Sequence, residues 1–141
     1  EMLMTVTSFA YDSEKGALTE IATVSTLPEA DRGKEGLSTA ETVAHPNGKI
    51  VYVSNRTHDT IAVFACDPAT GRLTLIQNAP AEGQIPRNFS LDPTGKWMIV
   101  AHQNSNTAAL FKVDQETGKL TFTGKKIQVG GAVCVRFLAG E

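Results

Sequence analysis

From residue 38 onward the apolar residues alternate with polar ones in short runs, and a turn-forming cluster interrupts each run. The first such runs are Ser38–Ala44, 49–54, Thr60–Cys66 and 73–78. Val, Ile, Thr, Tyr and Phe fill them, as a pleated, half-buried surface prefers. Asn47-Gly48 stands between the first two runs, and Asp67-Pro68-Ala69-Thr70-Gly71 stands between the last two. Glycine at such places supplies the positive φ of a tight turn, and aspartate closes an Asx turn. The pattern predicts a four-stranded antiparallel meander, A-B-C-D, with no place for a helix.

The same unit is written twice. Moving along the chain by 47 residues, Pro46 falls on Pro93, Gly48 on Gly95, Lys49 on Lys96 and Val53 on Val100. Thr60, Ala62, Phe64, Asp67, Thr70, Gly71, Leu73 and Thr74 also meet their own kind, without a gap. A period in the forties with turn signals between short strands marks a propeller blade. Residues 1–27 are a partial third copy: a shift of 55 places Thr5 on Thr60, Phe9 on Phe64, Asp12 on Asp67 and Gly16 on Gly71.

The expected fold is therefore an all-β, partial β-propeller in a single domain. It has the outer strands of one blade in 1–27, complete blades at 38–79 and 85–128, and an extra or closing strand at 132–138. The polar stretch 28–36 absorbs the eight residues by which the first spacing exceeds the second. Rings of this kind hold roughly 4 to 8 blades, so the chain is either a piece of a longer propeller or associates with copies of itself. The start inside a blade favours a piece, with the missing blades lying N-terminal.

Thirteen Lys+Arg against fifteen Asp+Glu give a net charge of −2, which argues against a nucleic-acid or anionic-membrane partner. No apolar run approaches the roughly 18 residues of a spanning helix. No basic n-region precedes Met2-Leu3-Met4, so no signal peptide is read. Cys66 and Cys134 lie in strand runs and read as buried reduced thiols. No metal-ligand spacing occurs, and no metal or organic cofactor is expected.

The repeat also locates a candidate site. In a meander the entry to strand A and the exit from strand B lie at the same end of the blade. That end collects Glu41, Arg87 and Asn88 from strand A, and Arg56 and Gln103 from one repeat position after strand B. Glu1 is that position again in the preceding unit, and His58 and His102 lie at the same end. Several of these have a plainer reading. Arg56 pairs with Asp59 in the loop, Arg87 bridges blades, Glu1 is a terminus, and the two histidines are polar loop residues. His45, in the slot of Asp92, steadies a turn at the opposite end. Trp97, Phe64, Phe89 and Phe111 read as packing between blades.

Ser38-Thr39-Ala40-Glu41, Tyr52-Val53-Ser54-Asn55-Arg56 and Gly83-Gln84-Ile85-Pro86-Arg87-Asn88-Phe89 resemble the closing blades of the lactonase family of seven-bladed propellers. That family includes 6-phosphogluconolactonases and fungal muconate-lactonizing enzymes. The resemblance covers essentially the whole chain. It implies a cytoplasmic enzyme of carbohydrate metabolism in the pentose phosphate pathway, a 6-phosphogluconolactonase-type hydrolase acting on an anionic sugar lactone. Arg56, Glu41 and Glu1 are then catalytic, with Arg87, Asn88, His58, His102 and Gln103 binding substrate. A muconate-type cyclase and a non-catalytic scaffold are the alternatives. In the cyclase branch Arg56 matches one of two arginines and Glu1 the glutamate, whereas the family's histidine and second arginine belong to earlier blades.

Overall fold

The computed structural model describes residues 3–138. Its strands are β1 (Thr5–Asp12), β2 (Ala17–Ser25), β3 (Ser38–Ala44), β4 (Ile50–Arg56) and β5 (Thr60–Cys66), followed by β6 (Leu73–Pro80), β7 (Pro86–Leu91), β8 (Trp97–His102), β9 (Thr107–Val113) and β10 (Leu120–Gln128). They form a hairpin, β1–β2, and two four-stranded antiparallel meanders, β3–β4–β5–β6 and β7–β8–β9–β10. The chain is all-β, a partial β-propeller with two complete blades. The one helical turn among the described residues is the short 3-10 segment Glu29–Asp31, inside the polar stretch 28–36.

Local chemistry explains the turns. Between the third and fourth strands, Asp67 Oδ1 accepts the Ala69 N–H at 2.8 Å and Asp114 Oδ1 accepts the Thr117 N–H at 2.8 Å. Asp12 does the same for Glu14 and Lys15. Gly71 and Gly118 take the left-handed position that ends each turn, at φ 67° and 72°.

The core lies between successive sheets. From the first complete blade, Tyr52, Ile61 and Val63 face Phe89, Met98, Val100 and Phe111 of the second, all nearly inaccessible. On the other face of that blade, Val53, Ala62 and Phe64 pack on Val6 and Val24 of the hairpin. Period-two alternation thus serves two interfaces at once, because opposite faces of one sheet meet different neighbours. β7 approaches β3 and β4, so the first strands of the two blades converge.

Hydrogen bonds key the blades together at fixed points. Tyr52 Oη donates to Gly118 O at 2.8 Å. The Gln77 side chain acts like a strand neighbour: its Nε2–H donates to Leu120 O and its Oε1 accepts the Leu120 N–H. His45 steadies its turn, as expected, by accepting the Asn47 N–H at Nδ1; its Nε2–H also reaches Gly95 O at 3.0 Å in the next blade.

Three expectations require correction. Residues 132–138 form no strand ladder; a strand needs a partner edge, and here the Val135 N–H is taken by the side chain of Asn88. Cys134, which lies in that segment, is exposed and Cys66 half-buried, so neither is a core thiol. Trp97 is 40% exposed at the first position of β8, where its backbone N–H is tied to Asp92 Oδ1.

Candidate functional site

The strand A entry is bulged in both blades. β3 pairs with β4 as Thr39↔Asn55 and then Thr42↔Val53, so Ala40 and Glu41 together oppose Ser54. The Glu41 N–H donates to Ser54 Oγ at 3.0 Å in place of a ladder bond. β7 pairs with β8 as Pro86↔His102 and then Asn88↔Ala101, which pushes Arg87 out of the ladder. A bulge re-aims a side chain. Here the two bulges turn Glu41, Arg87 and Asn88 toward one place.

That place is a pocket of about 250 Å³ lined by Ala40, Glu41, Arg56, Arg87, Asn88 and Val133. Asn88 is 5% exposed. Its Oδ1 accepts the Val135 N–H at 2.7 Å, which fixes the amide so that Nδ2–H donates to Glu41 Oε2. Glu41, Asn88 and Val135 are 47 residues apart in turn, so one repeat position runs as a chain across three successive segments. Arg56 ends β4, half-buried, with Nη2 donating to Thr39 O at 3.0 Å. Arg87 is exposed, with Nη1 3.5 Å from Gln103 Oε1.

Of the residues expected here, Glu41, Arg56, Arg87 and Asn88 come together, with Gln103 beside Arg87. The histidines do not line the pocket. His58 places Nδ1 2.7 Å from Thr60 Oγ1 and Nε2 3.2 Å from Asp31 Oδ2. It pins the stretch 28–36 to the blade, and Lys34 pairs with the same aspartate. Hydrogen bonds from Lys34 and then His58 hold the Asp31 carboxyl below the usual carboxylate range.

His102 is corrected outright as a substrate contact, because it is fully buried. Its Nε2–H donates to Ala81 O at 2.7 Å, while Nδ1 lies 3.1 Å from Thr107 Oγ1. Burial drives its pKa below the ordinary value, so the ring is neutral. Asn55, 47 residues earlier, makes the same latch: Nδ2–H donates to Thr26 O and Thr60 Oγ1. Glu1 lies outside the described residues.

Sequence reasoning missed Ser54, which supports the bulge, Val133, which lines the pocket, and Val135, whose N–H holds Asn88. The 47-residue step beyond Pro86 and Asn88 was the available signal for the two valines. Among the described residues no cluster of His, Cys, Asp or Glu is suited to hold a metal ion.

Two guanidinium groups at one pocket attract an anion and match the paired oxygens of a carboxylate or phosphate. The Glu41 carboxylate lining the same pocket is suited to accept a proton, which arginine is not, since it stays protonated up to a pH of about 12. The pocket therefore brings two guanidinium groups and a carboxylate together.

Comparisons with known proteins place the chain in a family. The family model described as "Lactonase, 7-bladed beta-propeller" matches residues 1–137. A solved Lactobacillus plantarum protein superimposes with a TM-score of 0.92 at 38% identity, covering 99% of this chain and 40% of that one. A putative 6-phosphogluconolactonase from Bacteroides uniformis gives 0.86 at 36% identity, covering 98% and 38%. The 6-phosphogluconolactonase of Bacillus subtilis is 35% identical over 92 residues, 65% of this chain and 26% of that protein. The chain thus spans about a quarter of the Bacillus protein's length and about two fifths of the solved structures'.

Proposed function

This chain belongs to the lactonase family of seven-bladed β-propellers, and from that premise we propose that it contributes to hydrolysis of an anionic sugar lactone, most specifically 6-phosphogluconolactone. The proposed setting is a cytoplasmic step of the pentose phosphate pathway. The observation that carries the reading is the convergence of Glu41, Arg56, Arg87 and Asn88 on one pocket. The names borne by the Bacillus and Bacteroides relatives favour hydrolysis over the lactone-forming and scaffold readings.

In the proposed reaction one arginine holds the phosphate or a carboxylate of the substrate. Glu41 Oε1 takes a proton from water as the water oxygen bonds to the lactone carbonyl carbon. The carbonyl electron pair moves onto its oxygen, where the second guanidinium stabilises the charge. Collapse breaks the bond from that carbon to the ring oxygen, and the proton passes from Glu41 to the leaving oxygen. Asn88 keeps Glu41 Oε2 occupied throughout, so the two carboxylate oxygens have separate tasks.

Acid release from 6-phosphogluconolactone and from muconolactone, measured above the spontaneous rate, tests the reading. Turnover of the phosphorylated sugar lactone is expected, with Arg56→Ala lowering kcat/KM at least tenfold, or about 1.4 kcal/mol. Glu41→Gln is expected to cost about a hundredfold or more, the usual contribution of a general base. No turnover in excess of the spontaneous rate, or an unchanged rate in both variants, counts against the assignment.

A further inference from the structure

Arg56 and the Arg87–Asn88 pair belong to different blades, so something must set the distance between them. Arg56 opens the turn 56–59, and the last residue of that turn, Asp59, reaches across. Asp59 Oδ1 accepts the Ile85 N–H at 2.8 Å, and its own carbonyl accepts the Ala81 N–H at 2.9 Å. Ile85 sits two residues before Arg87 and has φ 57°. A β-branched residue disfavours that left-handed region, because its Cβ crowds the backbone. An outlier of this kind persists only where surrounding contacts impose it, and such outliers gather at functional sites.

The repeat shows that the contact is a device rather than an accident. Asn106 occupies the place of Asp59 one blade later, with φ 53° against 54°. Its Oδ1 accepts the Gly131 N–H at 2.7 Å, and its carbonyl accepts the Val129 N–H at 2.8 Å. Gly131 also has φ 57°. Both side chains therefore hold a left-handed residue at the entry to the next segment, Gly131 lying one residue before the position 47 beyond Ile85. The first copy uses Asp with Ile, whereas the second uses Asn with Gly. The neutral amide shows that the acceptor oxygen suffices. The glycine shows which residue takes the bend without resistance.

We propose that Asp59 is a positioning residue: by holding Ile85 in its left-handed bend, it fixes Arg87 and Asn88 relative to Arg56 across the pocket. This deepens the lactonase reading and rests on it for its activity arm. Asp59 touches no substrate in this account. The other ties on the segment come from its own blade, through Gln103 N–H to Ile85 O and Gln84 N–H to Ser105 Oγ. Upstream of the pocket, Asp59 ties the segment to the blade carrying Arg56 through Ile85 and Ala81, while Asn88 meets that blade at Glu41 inside the pocket.

The test uses Asp59→Ala, Asp59→Asn, Ile85→Gly and the double variant Asp59→Ala/Ile85→Gly in the intact chain. Two readouts are made: amide-proton exchange at residue 85, and kcat/KM on 6-phosphogluconolactone. Asp59→Ala is expected to speed exchange at residue 85 at least tenfold and to lower kcat/KM at least tenfold. Asp59→Asn stays within about twofold on both readouts, as Asn106 implies. The double variant regains most of the lost turnover while its residue-85 amide still exchanges fast, since glycine adopts the bend unaided.

Unchanged exchange and turnover in Asp59→Ala would overturn the proposal, as would a loss in Asp59→Asn equal to that in Asp59→Ala. If Asp59→Ala fails to fold, Asp59→Asn and Ile85→Gly decide: both must keep turnover within about twofold, and a tenfold drop in either refutes the clamp. If the unaltered chain hydrolyses no lactone, the functional reading falls, and the exchange measurement still decides the clamp either way.

Discussion

His102 and Asn55 do one task with two chemistries. Each lies at or next to the end of the second strand of its blade, is fully buried, and donates to a main-chain carbonyl that follows the preceding hairpin. The histidine carries a pH dependence that the asparagine does not. Burial lowers its pKa in the fold, with Lys126 acting the same way and the Ala81 carbonyl, Thr107 and Asp59 acting against it. The unfolded chain then binds a proton at pH values where the folded chain does not, so stability falls as pH drops below about 6.5 and is unaffected above it. Thermal melts from pH 7 to 5 should show this slope, and His102→Asn should flatten it even if the melting temperature at pH 7 is lower. Asp114, held below the usual range by the Thr117 N–H, contributes in a separate and more acid window, as pH falls below about 4. The sequence marked His102 as a rim residue because nothing local distinguishes a buried latch from an exposed loop end. Its partner carbonyl at Ala81 is 21 residues away. Glu41, Arg56, Arg87 and Asn88 were legible for the opposite reason, since strand polarity and a repeat suffice to place them at one end.

At the scale of elements, the third strand Thr60–Cys66 was readable to the residue, because an Asx turn and a tight hairpin bound it on both sides. The second strand ran on to Arg56 and the fourth to Pro80, each past the last residue that the alternating pattern marks. The bulges that aim Glu41 and Arg87 were not legible, since a bulge is a mismatch between two strands and neither strand records it alone. The turns between third and fourth strands also set the blade spacing. A Cβ added at Gly118 would stand 2.7 Å from Ile50 Cγ1 of the preceding blade, and φ there is 72°. Gly48 has the same φ of 72° with nothing within 4 Å. Gly48→Ala should therefore cost about 1–2 kcal/mol, the left-handed penalty alone. Gly118→Ala should cost roughly 1–3 kcal/mol more through overpacking. Urea unfolding of the two variants separates these terms, and equal losses would show that the turn does not gauge the neighbouring blade.

For the molecule as a whole, each sheet is buried by its neighbours, so the outermost sheets have a face with no partner blade in this chain. Phe9, Tyr11 and Leu18 lie exposed on the hairpin, and Ile127, Val129 and Val133 lie exposed at the other end. Membership in a seven-bladed family fits further blades covering these faces, and association of copies is the other proposal for them. Light scattering of the 141 residues alone should give a mass above the 15.1 kDa of one chain. A stable monomer at that mass, with no binding of an apolar dye, would mean that the end faces need no cover. The absence of a ladder at 132–138 belongs to the same scale, since no strand among the described residues pairs with it.

The latches also bear on how such a molecule can change. Each plug, Asn55 or His102, enters a socket made of a peptide oxygen, at Thr26 or Ala81. No substitution can delete a peptide oxygen, so the seating itself does not depend on the side chains at 26 and 81, which are held by burial instead. A duplicated stretch of 47 residues would arrive with one plug and one socket already fitted, and growth by whole copies would need no matching mutation in the neighbour.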